Sequence, residues 1–149
     1  EIAFVGQHAE RMAVVYCPRT HTYFEHPTHP LVQLLECGAT VPLGTDGRSS
    51  NPDLSLLEEM RMVANRFPSI SPAEVLRLGT INGARALGCD DRCGSLEVGK
   101  QADLVIVPVG SRCCDDPHEV VFDSEASAVG SMIAGEFVYG SGDLADLIE

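Results

Sequence analysis

Residues 41–51 read VPLGTDGRSSN. A short apolar run, Val41 to Leu43, ends in Gly44, and a carboxylate, Asp46, stands just before Gly47 where the chain turns polar. Two readings compete. Thr-Asp-Gly is common turn chemistry, in which the aspartate caps its own backbone. At the C-terminal end of a barrel strand, however, an aspartate faces an active site. There it can hold a metal and accept a proton from water. Glycine on each side lets the backbone turn sharply and approach a ligand closely.

The surroundings bear on that choice. Upstream, residues 12–17, MAVVYC, form a continuous apolar run of strand length stopped by Pro18. Unbroken runs of this kind suit a parallel strand buried on both faces. A polar loop follows, and then Pro30 with Leu31, Leu34 and Leu35 reads as a helix ended by Gly38. Thr40 to Gly44 is the second short strand, in which Pro42 cannot donate a ladder hydrogen bond.

Downstream, Asn51-Pro52 reads as a helix start, with Leu56, Met60, Val63 and Phe67 as one buried stripe. Pro68 ends that helix, Ser71-Pro72-Ala73-Glu74 is a capping box opening the next, and a third runs from Thr80 to Leu87 with Gly88 closing it. Beyond residue 89 the pattern changes. Ser95 to Val98 and Ala102 to Val107 read as strands around a Gly99-Lys100 turn. Met132-Ile133 and Phe137-Val138-Tyr139 flank a hairpin turn, and the polar stretch 110–127 reads as a loop.

This order places the chain in the α/β class: strand, helix, strand and helices over residues 1–88, then a small β module over 89–149. A closed (β/α)8 barrel takes about 250 residues. Two strands cannot close one. The expectation is therefore a C-terminal piece of a larger fold, in line with a chain of 149 residues that begins at Glu1.

Bulk composition narrows the partners. Acidic residues outnumber basic ones 22 to 10, a formal net charge of −12, and Lys100 is the sole lysine. Such a field repels phosphate backbones and anionic membranes, so no nucleic acid and no membrane is expected. No apolar stretch reaches the roughly 20 residues that span a bilayer. The chain opens without a secretory pattern, so its six cysteines are expected to be reduced thiols of a cytoplasmic protein. Cys89-x3-Cys93 has spacing compatible with zinc but lacks the second pair that such a site needs.

Taken together, CPRTHTYF, LLECGATVPLGTDGRSSNPDLSLLEEMR, TINGARALG and GSLEVGKQADLVIV resemble the amidohydrolase superfamily over about residues 1–140. The branch they resemble is that of the cytosine-deaminase and chlorohydrolase-type enzymes, and the PRTHTYF form is similar to aminofutalosine-type deaminases. The resemblance implies a metal-dependent hydrolase with a β/α barrel and a small β-sandwich. Val41 to Gly44 then corresponds to the eighth barrel strand, residues 12–17 to the seventh, and Asp46 to the catalytic, metal-binding aspartate. It also implies zinc, or alternatively iron, held mostly by histidines on strands upstream of this segment, so the segment alone is expected to be inactive. His8, in a helix before the seventh strand, matches no ligand position.

The implied reaction is hydrolytic deamination of an aminated heterocycle, purine nucleoside-like or a pyrimidine or triazine. Hydrolysis of a ring amide or ring chloride, and a non-catalytic scaffold role, are the alternatives. Arg19, Thr20 and His21 follow the first strand and are the expected substrate contacts, Arg for its rigid donor fork and His for its switchable ring nitrogens. The run His21, His26, His29 admits a substrate-facing loop, a plain surface loop or a metal cluster. Ser49-Ser50 reads equally as substrate contact or helix entry, Asn82 as bonding neighbouring backbone, and Asp103 as fixing a turn of the β module. Finally, Val14, Val15, Val41 and Leu43 are expected to lie on an open edge that invites homo-oligomers.

Overall fold

The computed structural model describes residues 1–108, 116–123 and 127–140. Seven short helices occur among them: α1 (Ile2–Gln7), α2 (Pro18–Tyr23), α3 (Leu31–Glu36), α4 (Leu56–Arg66), α5 (Pro72–Leu78), α6 (Ile81–Leu87) and α7 (Pro117–Asp123). Three strands, β1 (Leu104–Ile106), β2 (Gly130–Ile133) and β3 (Glu136–Gly140), form an antiparallel sheet in that order.

The two apolar runs that open the chain pair in parallel through bridges Ala13–Thr40 and Tyr16–Leu43. Val14 N and Tyr16 N donate to the carbonyls of Thr40 and Pro42 at 3.0 Å, and Gly44 N donates to Tyr16 O at 2.9 Å. Pro42 takes part only through its carbonyl, as its missing N–H requires. The far side of the second segment is not open. Leu43 N donates to Leu78 O at 2.9 Å, and Asn82 Nδ2 donates to Val41 O at 3.2 Å. The junction of α5 and α6 thus takes the place of a neighbouring strand. Val41 and Leu43 are buried, and Val14 pairs with Thr40 and packs against the core, so the open-edge expectation fails for these three, while Val15 is exposed. Asn82 likewise reaches 41 residues back rather than bonding its neighbours.

One core lies beneath these segments. Tyr16, Leu31, Leu34, Val41, Leu43, Met60, Val63, Phe67, Val75 and Leu78 pack together, with Leu56 partly buried at their edge. The stripe of α4 is therefore buried as its spacing predicts. Its start differs, because Ser55 rather than Asn51 is the cap and accepts from Glu58 N at 3.3 Å. Ser71 caps α5 in the same manner, and Gly88 closes α6 in the left-handed conformation.

Further departures have simple causes. Pro18, read as the stop of a strand, is the first residue of α2, a position that proline favours. Ser95 to Val98 form no strand, since Leu96 and Val98 are exposed and nothing pairs with them among the described residues. The stretch read as a 110–127 loop contains α7, while 109–115 and 124–126 lie outside the described residues.

The hairpin forms as expected, with Ala134 and Gly135 both at positive φ, the geometry of a two-residue turn that matches strand twist. Asp103 Oδ1 accepts from Ala134 N at 2.8 Å and Gly135 N donates to Ala102 O at 3.1 Å, so the entry to β1 fixes this turn.

Candidate active site

Asp46 follows the second parallel segment directly, and its backbone adopts φ 54°, a left-handed conformation that aspartate tolerates better than most residues. Its side chain is exposed. Ser50 Oγ donates to Asp46 Oδ2 at 2.9 Å, and Ser50 N closes the intervening turn on Gly47 O at 3.1 Å. Thr20 Oγ1 lies 3.0 Å from Ser50 Oγ. A serine has one proton to give, so when Ser50 donates to the carboxylate it accepts from Thr20. The resulting relay, Thr20 to Ser50 to Asp46, ties the first turn of α2 to the loop after the second segment. Of the two readings of Ser50, helix entry is thereby excluded: α4 begins six residues later, and Ser50 is buried against Asp46.

Arg19 is held on two sides. Its Nη1 and Nη2 meet Asp53 Oδ1 and Oδ2 at 2.6 and 3.1 Å, a bidentate pair. Its backbone N donates to Glu59 Oε2 at 2.9 Å, and its Nε lies 3.8 Å from Glu59 Oε1. Glu59 is 0% exposed and also accepts from Asn51 Nδ2 at 2.5 Å, while Asn51 Oδ1 accepts from Leu54 N at 3.0 Å. The hydrogen bond from Arg19 holds the Asp53 carboxyl down at about 2 and raises the guanidinium. Asp53 and Glu59 escaped the sequence reading, which took Asn51 only as a helix start. Glu59 lies three residues after Leu56 on the buried stripe of α4, which was the available signal.

His21 lies near Tyr16, with ring centroids 5.6 Å apart edge to face, and His29 stacks on Tyr16 at 3.9 Å. Burial lowers the pKa of His21, helped by His26 and Arg66. Burial, with His21 beside it, brings His29 to about 4. Tyr16 Oη, His21 Nδ1 and His29 Nδ1 are buried without a hydrogen-bond partner among the described residues. His26 sits 5.2 Å from His21. No cluster of three or more His, Cys, Asp or Glu able to hold a metal occurs among the described residues, so the three histidines do not make one. Cys17, at the end of the first segment, has its thiol raised by burial and by the Asp46 charge, which keeps it protonated. His8 ends α1 at the surface, where its Nδ1 lies 2.9 Å from Phe4 O.

The carboxylate of Asp46 is fixed through Oδ2, and Oδ1 makes no hydrogen bond among the described residues. A hard anionic oxygen in this setting suits a divalent metal, as one ligand of several. The sequence model of the amidohydrolase family matches residues 1–138.

The chain belongs to the amidohydrolase family.

Similar proteins agree with this membership. A 5-methylthioadenosine/S-adenosylhomocysteine deaminase of Moorella thermoacetica is 32% identical over 159 aligned positions, covering 99% of this chain and 37% of that protein. A 5′-deoxyadenosine deaminase of Methanosarcina barkeri is 42% identical over 115 positions, 70% of this chain and 26% of that protein. The solved structure of an adenosine deaminase from Xanthomonas campestris, with bound zinc, matches with TM-score 0.83 and 31% identity over 99% of this chain and 38% of that one. The amidohydrolase segment thus spans less than two fifths of the length of these relatives. No helix among its described residues is long and apolar enough to cross a membrane.

Proposed function

We propose that this segment is the C-terminal portion of a metal-dependent aminohydrolase that deaminates an aminated heterocycle of the purine-nucleoside kind. Residues 1–88 would be the end of the (β/α)8 barrel, with the two parallel segments as its seventh and eighth strands. Residues 89–149 would be part of the β-sandwich. The observation that carries the reading is Asp46, presented at a segment end with Oδ2 fixed by Ser50, inside a chain-long family match whose relatives bear deaminase names.

Asp46 is the proposed catalytic residue and metal ligand. Asp46, with ligands upstream of this segment, would hold a divalent metal, zinc or alternatively iron, which when bound would supply water acidified toward neutrality. Asp46 takes a proton at its carboxylate and returns it to the departing ammonia, the work of a general base turned general acid. Ser50 orients that carboxylate through its hydrogen bond, and Thr20 orients Ser50.

His21 is the proposed substrate contact. Its depressed pKa keeps it neutral near pH 7, able to donate or accept toward an uncharged ring. The unpartnered Tyr16 Oη and His21 Nδ1 support a polar ligand on this side. Thr20 lies within reach of the same loop. Arg19, proposed with them, has its fork engaged by Asp53 and so acts on the substrate by holding the loop in shape. Free Cys17, Cys37, Cys89 and Cys93 support a cytoplasmic location. Exposed Phe4, Met12 and Val15 support association with further copies.

The test is ammonia release by the full-length protein from adenosine-type nucleosides, with and without a chelator. Release that disappears on chelation and returns with zinc or ferrous iron is expected. A metal-replete, folded protein that frees no ammonia from any aminated purine, pyrimidine or triazine would sink the proposal.

A further inference from the structure

Outside the site, the chain brings two thiols together between α6 and the sheet. Cys89 follows the left-handed Gly88 cap, and its N donates to Ala84 O at 3.0 Å. Cys93 N then donates to Cys89 O at 3.0 Å, closing one helix-like turn. The Sγ atoms lie 3.4 Å apart, with the Cys93 thiol shared between Cys89 Sγ and Cys89 O, each 3.4 Å away, and the Cys89 thiol directed at Ala84 O, 3.5 Å away. Both residues are half-buried, so small solutes reach them. Gly94 anchors the end of this turn. Its φ is 87°, and a Cβ there would stand 2.6 Å from Ala84 Cβ, so the backbone lies flush on α6.

We propose that Cys89 and Cys93 are a thiol-modification site, a dithiol that a low-molecular-weight disulfide converts reversibly to an intramolecular disulfide. A single helical turn sets the two Cα atoms within the range that a disulfide bridges, about 4.4–6.8 Å. The sulfurs need to close from 3.4 Å to about 2.05 Å, which side-chain rotation and a small adjustment of the turn supply.

In the first step the Cys89 thiolate attacks one sulfur of the small disulfide. A Cys89 mixed disulfide forms, the small S–S bond breaks, and one small thiolate leaves. Cys93, having lost its proton to solvent, then attacks Cys89 Sγ and expels the second small thiolate. The protein dithiol is oxidised by two electrons and the small disulfide is reduced to two thiols. The hydrogen bond to Cys89 raises the pKa of Cys93, so closure speeds up as pH rises above neutral. This inference does not depend on the proposed activity.

Trypsin provides the test, because Arg92 lies between the two cysteines. The folded chain is treated with excess oxidised glutathione, free thiols are alkylated, and the digest is mapped with and without reductant. The expected product is peptide 86–92 joined to peptide 93–100, lighter than their sum by two hydrogens and separated by reductant. C89S and C93S should instead carry glutathione on the cysteine that remains. The inference is overturned if wild-type protein yields the two peptides unlinked, whether alkylated or glutathionylated. It is equally overturned if either cysteine is bridged chiefly to Cys113 or Cys114, or if the link forms only after denaturation.

Discussion

The parallel segments with their helices and the three-stranded sheet are built on opposite terms. In the first region every side of the second segment is answered: Tyr16 and the first segment on one edge, Leu78 O and Asn82 on the other, and the side chains of α4 and α5 beneath. In the sheet the backbone pairs just as well, yet Val105 is 65% exposed and Val138 52%. Hydrogen bonding therefore does not distinguish the two regions; apolar burial does. Stability should concentrate where side chains are covered, and the sheet should contribute its shape at small energetic weight.

The largest effect is expected at the charged cluster beneath the candidate site. Glu59→Ala leaves Asn51 Nδ2 and Arg19 N without their acceptor in a buried setting. Breaking such a buried ionic network by removing one partner costs about 3–5 kcal/mol. Urea denaturation of wild type and variant measures it, and a loss below about 1 kcal/mol would mean that the cluster is open to water. Next comes Leu78→Ala, which empties a fully buried position at the α5–α6 junction and is expected to cost about 2–5 kcal/mol. Val138→Ala in the sheet should stay within about 0.5 kcal/mol, as exposed substitutions do. Equal costs for the two would break the contrast between the regions.

How much of this was visible in the residues follows the same division. The buried stripe of α4, the cap at Ser71 and the hairpin at Ala134-Gly135 are local patterns, and the structure follows them. The start of α4 differs because Asn51 Oδ1 accepts from Leu54 N and so closes only a turn, Leu54 then takes a positive φ, and Ser55 caps the helix after it. Leu96 and Val98 alternate like a strand, but a strand needs a neighbour, and periodicity does not supply one. Pro18 was ambiguous in kind, since proline both ends strands and opens helices. At the candidate site, the position of Asp46 was legible from its glycines and the strand before it. Ser50 as its partner was not, because the contact depends on how the loop 46–50 folds back. The engagement of Arg19 by Asp53, 34 residues away, was beyond any local signal.

A smaller effect is set by pH. His29 is stacked on Tyr16 and held neutral down to about 4, whereas in the unfolded chain it titrates near 6.5. Between those values the unfolded state binds a proton that the folded state refuses, so stability rises with pH through this window. The contribution is fully present above about 6.5 and is lost as pH falls through 4. His29→Gln should flatten the pH dependence of the thermal midpoint over that interval while leaving its slope above pH 7 unchanged. Parallel curves for wild type and variant would show that His29 is solvated.

The smallest expected change in stability belongs to the residue assigned the largest chemical role. Asp46→Asn keeps a side chain that tolerates the left-handed backbone and can still accept from Ser50 through its amide oxygen. The residue is exposed, so the thermal midpoint should move by the equivalent of no more than about 0.5 kcal/mol. In the full-length protein the same substitution removes the carboxylate's basicity and is expected to lower kcat by about 10²–10⁴-fold. Were Asp46 only a turn residue, the asparagine would serve the turn equally well, and ammonia release would stay intact. The pair of measurements on one variant therefore separates the two readings of VPLGTDGRSSN: an unmoved melting curve shows that the turn survives, and kcat then reports whether the carboxylate was a base.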